Sequence, residues 1–322
     1  MNTFGSSFSF TSFGESHGVA VGGVLDGVPA GTVISLASVH DMLMRRSGRG
    51  QAGVSPRAVN EQDEVEWLSG VIADGDTLIA QGTPIAFLIR NTDARSRDYD
   101  WLRHSFRPGH ADFTYQTKYG IRDHRGGGRA SARETAARVA AGAVAKQMLE
   151  RQGIFIKARL IQAGTEKDPV KIDQLLRQIQ SEGDSIGGIV GCRIQGLPAG
   201  VGEPVSDKLQ SHLAAAVLSI NGCHGFDFGF GFDSLSLRGS DLYIDGGKPV
   251  DVLSPQTLSG GILGGISDGT AVTFRCLFKP AATLRRLYGG RHDSCIAVRA
   301  VPVVEAMTAL TLQDMIGNTA CD

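Results

Sequence analysis

Arginine is concentrated around His110. Residues 95–138 contain nine arginines and one lysine against five acidic residues, although the whole chain has a formal charge of -1. A guanidinium forms two parallel hydrogen bonds with a carboxylate or phosphate and stays charged at any relevant pH. The stretch therefore predicts a site for a ligand with several anionic groups. His110 follows Arg107 on a Pro-Gly turn, where an imidazole could protonate a leaving phosphate.

A run of three glycines, 126–128, is a second signal for anion binding. It leads into Ser131 and Glu134, which have the spacing of a capping box for an alanine-rich helix that ends near Leu149. The free amides and the positive dipole end of such a helix favour a bound anion. The run lacks the Gly-Lys-Ser/Thr of a Walker loop and the spacing of a dinucleotide fingerprint. A flexible turn with solvated arginines is the alternative interpretation.

Two more candidates for acid–base chemistry lie on predicted loops. His17, in the Gly-Glu-Ser-His-Gly segment 14–18, is expected between two strands and not as a packed core residue; an incidental structural role is the alternative. Glu15 and His17 alone do not have the spacing of a metal-ligand set, so we predict no metal site. Asp293 follows a histidine, and it is either a catalytic carboxylate or a turn aspartate that caps the next helix.

Hydrophobic periodicity and capping signals predict the elements that must position these residues. We predict helices at 38–46 and 206–220, beginning at Ser38 and Ser206, and a helix at 169–179 after the cap Asp168. A last helix is predicted at about 303–315. Strands are predicted at 7–13, 18–25, 85–89, 154–160, 189–194 and 271–278.

Length and composition are those of a globular protein. At 322 residues the chain could form one large domain or two halves. No apolar run approaches the roughly 20 residues that span a bilayer, and the start is unlike a signal peptide, so we expect a cytoplasmic protein without a membrane partner. The five cysteines are scattered, which argues against a disulfide framework and a zinc site and favours reduced, mostly buried thiols.

Two glycine-rich segments, 22–31 and 191–200, resemble each other, and 264–269 repeats the first part. This similarity indicates either an internal duplication, in which two halves share one core, or a chance likeness of strand ends.

Three motifs together resemble those of the chorismate synthases. They are 14–18 continuing to 26–29, 126–129 continuing to 131–134, and 290–293 continuing to 299–302 and 305–307, and the resemblance runs from about Thr3 to Ile316. It implies an α+β fold, a layered β-α-β sandwich that forms a single domain over 1–322, with duplicated halves of about 1–150 and 151–322. It also implies a homotetramer.

The activity implied is that of a carbon–oxygen lyase of aromatic amino acid biosynthesis in the shikimate pathway. Such an enzyme converts 5-enolpyruvylshikimate 3-phosphate to chorismate and phosphate by a 1,4-elimination that requires reduced FMN and has no net redox change. By the family pattern, His17 would donate a proton toward the flavin, His110 would serve the phosphate end, and Asp293 would help to remove the C6 hydrogen. The implied flavin positions are Arg129, Ala130, Ser131, Asn221, Gly222, Gly264, Lys279, Pro280, Ala281, Ala282, Thr283 and Arg291. Substrate or a nicotinamide (NADP) phosphate would be bound by Arg46, Arg49, Arg107 and Arg133.

The chain departs from the family pattern in three places. Ala130 replaces a common serine, the spacing of Arg49 is shifted, and the link from Thr283 to Gly290 is short. Some family members reduce their own flavin with NADPH, but nothing here resembles a dinucleotide-binding unit, so we expect an external flavin reductant. The rival from another class is a nucleic-acid-binding protein that uses the Arg/Gly stretch on phosphates; the near-neutral charge argues against it.

Overall fold

The structure is a computed structural model, and it describes residues 2–55, 63–92, 96–245, 248–249, 259–289 and 292–318. Within these residues the α-helices are α1 (Leu36–Ser47), α2 (Asp112–Tyr119), α3 (Thr135–Arg151), α4 (Pro169–Glu182), α5 (Leu209–Leu218), α6 (Arg285–Tyr288) and α7 (Ile296–Asn318). Short 3-10 segments lie at Ser96–His104, Gly128–Ala130, Ala132–Glu134, Gly231–Ser236 and Gly239–Tyr243.

Two antiparallel sheets contain most of the strands. The strands are β1 (Thr3–Phe4), β2 (Ser9–Gly14), β3 (Ala20–Asp26), β4 (Val33–Ser35), β5 (Glu66–Ser69), β6 (Val71–Asp74), β7 (Thr77–Ala80), β8 (Ile85–Arg90), β9 (Phe155–Ala163), β10 (Gly188–Gln195), β11 (Cys223–Phe228), β12 (Ile244–Asp245), β13 (Lys248–Pro249), β14 (Ile262–Leu263), β15 (Ile266–Ser267) and β16 (Val272–Phe278). The N-terminal sheet has the order β1-β2-β3-β8-β5, and the C-terminal sheet has the order β11-β16-β10-β9. Smaller sheets pair β4-β7-β6, β12-β13 and β14-β15.

A layer of helices separates the two main sheets. Helix α3 packs against β2, β3 and β8 of the N-terminal sheet, and α7 packs against β9, β10 and β16 of the C-terminal sheet. The two helices also pack on each other, and α1 and α5 lie beside them. A Cβ added at Gly142 of α3 would overlap Cβ and Cα of Ala306 in α7, so the two backbones approach closely there. The layered β-α-β sandwich and the α+β class are confirmed.

The strand predictions at 7–13, 18–25, 85–89, 154–160, 189–194 and 271–278 are confirmed as β2, β3, β8, β9, β10 and β16. The cap at Asp168 is also confirmed, because its side chain accepts from the amides of Val170 and Lys171. Two predicted caps are wrong. The amide of Ser38 donates to the side chain of Ser35, so Ser35 caps α1 and the helix begins earlier. Helix α5 starts at Leu209 without a side-chain cap, three residues beyond Ser206.

The last helix is longer than predicted. Helix α7 begins at Ile296 and includes Pro302, which lacks the N–H that would bond one turn back but does not end the helix. By length and composition alone, Ile296–Gly317 could cross a bilayer, contrary to the expectation that no such segment exists, but 78% of its apolar window is buried inside the protein. That burial is typical of a core helix.

The two similar glycine-rich segments have the same local geometry. Each begins within an inner strand, β3 or β10, and continues into the turn after it. Each has glycines with positive φ at matching places, 90° at Gly27 and 81° at Gly31 against 78° at Gly196 and 99° at Gly200. The Gly31 amide donates to the carbonyl of Ala80, and the Gly200 amide donates to that of Ser267. The two segments therefore share their local turn geometry, and the internal duplication stays a prediction.

Four cysteines, at 192, 223, 276 and 295, are buried free thiols, as expected. Burial raises the pKa of Cys192 well above its ordinary value. Cys321 lies outside the described residues.

Candidate active site

A cavity of about 420 Å³ brings together residues from the glycine run, the His110 turn and the segment around Asp293. Among the described residues, its lining includes five cationic side chains, Arg46, Arg107, Arg133, Lys279 and Arg299. It also includes three imidazoles, His110, His224 and His292. Because Asp293 is the one carboxylate in that described lining, the cavity favours an anionic ligand.

One buried carboxylate orients two of these arginines. Asp63 is 6% exposed, and its Oδ2 accepts from Arg46 Nη1 at 2.8 Å while its Oδ1 accepts from Arg133 Nη1. Arg46 Nε also donates to Thr135 at 3.1 Å, and Arg133 Nε donates to Asn91 at 2.8 Å. Asp63 therefore orients two cationic side chains of the cavity lining at once.

A second buried carboxylate binds Arg107 and His110 together. Asp112 Oδ2 accepts from Arg107 Nε at 2.8 Å, and Oδ1 accepts from Arg107 Nη2 at 2.8 Å. His110 Nδ1 lies 2.9 Å from the same Oδ1. Burial alone would raise the pKa of Asp112, but its hydrogen bonds with Arg107 and His110 hold that pKa well below the usual range. Arg107 Nη1 reaches across to Thr283 Oγ1 at 3.2 Å.

The glycine run closes over two histidines. A Cβ added at Gly126 would lie 2.5 Å from His17 Nε2, and one at Gly127 would lie 2.9 Å from His110 Cε1. Both glycines have positive φ, at 63° and 89°. Only glycine fits here, because both the conformation and the space exclude a side chain.

The capping box is half formed. Ser131 accepts from the amide of Arg133, as a cap should, but it caps the 3-10 segment Ala132–Glu134 and α3 continues from Thr135. The Glu134 side chain does not accept from the Ser131 amide, because that amide donates to the Gly128 carbonyl. The Glu134 carboxylate instead pairs with Arg138, one turn along the helix, at 2.9 Å.

Asp293 is fixed by a segment distant in sequence. Its Oδ1 accepts from the Ser55 amide at 2.8 Å, and its Oδ2 lies 3.4 Å from Arg299 Nη1. Both partners of the Asp293 side chain line the cavity. No capping bond from Asp293 to α7 is found among the described residues. This arrangement favours the functional interpretation of Asp293 over the helix-cap alternative.

His17 is a turn residue between β2 and β3, as predicted, but it is buried, with 8% of its surface exposed. The expectation that it would not be packed is therefore wrong. Its ring lies edge-on to Tyr99 with centroids 5.1 Å apart, and Gly126 packs against it. Tyr99 and Gly126 line the cavity, so His17 lies directly behind the wall.

Most of the flavin positions implied by the resemblance line this cavity. They are Ala130, Ser131, Asn221, Gly222, Lys279, Pro280, Ala281, Ala282 and Thr283. The Arg129 guanidinium instead bonds Ser12 and Gly14 of β2, and Arg129 reaches the site through its carbonyl, which lies 3.5 Å from Asn221 Nδ2. Gly264 lies in the turn between β14 and β15, outside the described lining, and Arg291 lies outside the described residues.

The predicted arginines separate into two groups. Arg46, Arg107 and Arg133 are buried and line the cavity, whereas Arg49 is exposed and not part of the described lining. Sequence reasoning assigned no role to Tyr99, Tyr115, His224, His292, Arg299, Asp63 and Asp112. Asp112 belongs to the Arg-Pro-Gly-His-Ala-Asp segment, where a carboxylate two residues from a histidine was the available signal.

The short link after Thr283 is anchored rather than loose. Arg285 Nη2 donates to the carbonyls of Gln180 and Ser181 at the end of α4, and the Arg286 amide donates to Gly183. The ring of Tyr288 stacks on Trp101, with centroids 4.4 Å apart and planes 10° from parallel.

Several known proteins are similar to this chain over nearly its whole length. A family model described as chorismate synthase matches residues 8–288. The chorismate synthase of Christiangramia forsetii is 45% identical over 356 residues, covering 97% of this chain and 96% of the relative. That of Porphyromonas gingivalis is 45% identical over 359 residues, covering 98% and 95%. Both alignments are longer than the 322 residues of this chain, so the relatives contain residues that it lacks.

A solved structure titled "Crystal Structure of Chorismate Synthase" is 27% identical, with a TM-score of 0.74, and the match covers 98% of this chain and 93% of that one.

Proposed function

The chain belongs to the chorismate synthase family, lyases of chorismate biosynthesis, and from this membership we propose how its cavity performs the reaction. The substrate is 5-enolpyruvylshikimate 3-phosphate, which loses phosphate from C3 and a hydrogen from C6 in a 1,4-elimination. The observation that carries the proposal is the excess of cationic side chains in the described lining, five against the single carboxylate of Asp293, together with His110. Two carboxylates and a phosphate, which adds roughly -1.5 to -2 at neutral pH, match that excess.

The phosphate end lies at the His110 turn. Arg107 and Lys279 supply positive charge there, because Arg107 Nη1 extends to Thr283 and the Lys279 ammonium is held by the Gly109 carbonyl. His110 acts as the imidazolium: Nδ1 contacts the Asp112 carboxylate, and the hydrogen on Nε2 passes to the leaving phosphate oxygen, which leaves a neutral ring. Arg46 and Arg133, fixed by Asp63, bind the remaining anionic groups.

Asp293 helps to remove the hydrogen from C6 of the substrate. The Ser55 amide and Arg299 hold its carboxylate in one orientation. His17 lies behind the part of the cavity wall formed by Tyr99 and Gly126. From there it donates a proton toward the cofactor side of the cavity.

The residues present fit reduced FMN. Among the described residues, Asn221 Oδ1 is a buried acceptor without a hydrogen-bond partner, and it lies in the cavity lining, where an imide N–H of a flavin ring would satisfy it. The cofactor would be held by Ala130, Ser131, Asn221, Gly222 and the segment 279–283, with Arg129 contributing through its carbonyl contact to Asn221. When bound, reduced FMN supplies electron density that lowers the barrier to a non-concerted elimination and is recovered within the turnover. Arg291 is proposed as a further contact; Gly264 could contribute only from outside the described lining.

The remaining proposals concern the assembly and its setting. We propose a single domain with duplicated halves of about 1–150 and 151–322, a homotetramer, a cytoplasmic location and an external flavin reductant. The matching geometry of the two glycine-rich segments supports the duplication. The nucleic-acid-binding alternative is not supported, since Arg107 and Arg133 of the arginine-rich segment are buried against the cavity instead of lying on an open surface.

The test is anaerobic release of phosphate and chorismate from 5-enolpyruvylshikimate 3-phosphate. We expect turnover with catalytic amounts of photoreduced FMN and no stoichiometric use of reductant. Equal turnover with oxidised FMN, or one reductant consumed per chorismate, would refute the proposal. Filter binding of RNA and DNA at moderate salt tests the alternative class, with no retention expected.

A further inference from the structure

The three atoms His110 Nδ1, Arg107 Nη2 and Asp112 Oδ1 form a closed triangle. Nδ1 lies 2.9 Å from Oδ1 and 3.1 Å from Nη2, and Nη2 lies 2.8 Å from Oδ1. A guanidinium nitrogen can only donate and an ionised carboxylate can only accept. His110 Nδ1 must therefore either carry a hydrogen and donate to Asp112, or lack one and accept from Arg107.

The shorter contact favours the first arrangement. Nδ1 lies 2.9 Å from Oδ1 of Asp112, where a nitrogen without a hydrogen would set its lone pair against a carboxylate oxygen, and it lies 3.1 Å from Nη2 of Arg107. Arg107 keeps its bonds to Asp112 in either arrangement, because Nε donates to Oδ2 and one of the two hydrogens of Nη2 serves Oδ1. Asp112 is 3% exposed, so water does not compete for its oxygens.

The surroundings then fix which nitrogen meets the ligand. Gly127 packs against the ring near Cε1 and Nε2, and the Gly109 carbonyl before His110 is held by Lys279. With Nδ1 tied to Asp112, Nε2 is the nitrogen that the cavity receives. In the favoured arrangement the neutral ring has no hydrogen on Nε2, so Nε2 first takes up a proton from solvent, and the imidazolium that forms, with Nδ1–H on the Asp112 carboxylate, is the acid. In the other arrangement Nε2 would carry the only hydrogen of a neutral ring, which is a poor acid.

We propose that Asp112 is a positioning residue that sets the tautomer of His110 and, with its other oxygen, the direction of Arg107. The proposal rests on the proposed function only for its consequence, which is proton donation to the leaving phosphate. Asp112 lines a separate cavity of about 1210 Å³ behind the site and is not in the described lining of the 420 Å³ cavity, so it acts through its two neighbours.

The direct test is nitrogen NMR of protein labelled with ¹⁵N-histidine, at a pH where imidazoles are neutral. The His110 signals are assigned by their loss in His110→Ala. In the wild type we expect the hydrogen on Nδ1, and in Asp112→Asn we expect it on Nε2, with Nδ1 accepting from Arg107. A wild-type ring with its hydrogen on Nε2 overturns the proposal without any variant having to fold, as does an unchanged tautomer in Asp112→Asn.

The kinetic test separates the two neighbours. Asp112→Asn should lower kcat roughly 10- to 100-fold through His110 and also raise KM through Arg107. In a His110→Ala background the same change should leave kcat within about threefold, because the effects of residues that act as one unit are not additive. Equal losses of kcat in both backgrounds would contradict the proposal.

A matched control is available in the C-terminal sheet. Asp227 accepts from Arg275 Nε at 2.9 Å and Nη2 at 2.6 Å, a two-pronged pair like that of Asp112 and Arg107 but away from the cavity. Asp227→Asn should change stability and leave the His110 tautomer as it is. If the purified protein makes no chorismate, the proposed function fails, and the NMR result still decides the role of Asp112.

Discussion

The helical layer and the cavity use buried carboxylates in opposite ways. In the layer, Glu305 of α7 accepts from Arg45 at 2.8 and 2.9 Å and from the Ala158 amide at 2.9 Å. Asp314, near the end of the same helix, accepts from the amides of Ser6, Ser7 and Phe8 at 3.0, 2.8 and 2.9 Å. These partners of the two carboxylates are an arginine and backbone amides that lie outside the described lining of the 420 Å³ cavity.

At the cavity the carboxylates are outnumbered. Among the described residues, Asp63, Asp112 and Asp293 contact four of the five lining cations, and Asp63 is divided between two arginines. An anionic ligand would balance the cationic side chains that outnumber carboxylates in the described lining. The difference teaches that carboxylates paired within the helical layer hold segments of the fold together. A cavity lining with more cationic than anionic side chains marks the binding site.

The largest expected effect is on catalysis. His110→Ala should lower kcat by about 100- to 10,000-fold, the range for positioned proton transfer, with little change in the free energy of unfolding, because the ring lies on a turn at the cavity. The steady-state assay with saturating reduced FMN measures it. His40→Ala, on the exposed face of α1, is the control and should keep wild-type kcat. Wild-type turnover in His110→Ala would remove His110 from the mechanism.

The next prediction compares the two kinds of carboxylate directly. Asp63→Asn leaves two buried arginines without their shared charge, and loss of a buried partner costs about 3–5 kcal/mol; part of that should be recovered on adding inorganic phosphate. Asp314→Asn should cost about 1–3 kcal/mol with no recovery. Denaturant unfolding with and without phosphate measures both. If phosphate raised the free energy of unfolding of both variants equally, the distinction between structural carboxylates and binding-site carboxylates would be contradicted.

Packing in the helical layer should be independent of the cavity. Gly142→Ala forces α3 away from Ala306, and overpacking of a tight contact costs about 1–3 kcal/mol. The midpoint of urea unfolding should fall while kcat per folded molecule is unchanged. Gly153→Ala does not serve as a control, because the backbone at Gly153 has a φ of 79°, a conformation in which any side chain is strained. Ala140→Gly in α3 removes a methyl group instead of adding one, and it serves to separate overpacking from general sensitivity of the helix.

The sequence predicts the helical layer and the preference of the site for an anionic ligand better than it predicts the individual side-chain contacts. Alternating strands such as β2 and the Asp168 cap depend on neighbours a few residues apart, and both were confirmed. The burial of His17 and the pairing of Asp63 with Arg133, 70 residues away in sequence, depend on how distant loops meet. Arg129 faces β2 for the same reason, since the turn at the glycine run decides which arginines point inward.

The stacked rings of Trp101 and Tyr288 are a third kind of contact, one without charged groups. Trp101 lies two residues in sequence from Tyr99, and Tyr288 lies five from Thr283; both Tyr99 and Thr283 line the cavity. An aromatic pair contributes about 0.5–1.5 kcal/mol beyond area burial, so Tyr288→Ala should speed dissociation of oxidised FMN about 2- to 10-fold while affecting stability little. Stopped-flow fluorescence measures this in a Trp67→Phe parent, where Trp101 is the remaining tryptophan and Phe replaces a ring that packs on Phe87 in the N-terminal sheet. The parent should release FMN at the wild-type rate. If Tyr288→Ala releases it no faster than the parent, the stack is a surface contact and the short link does not cover the cavity.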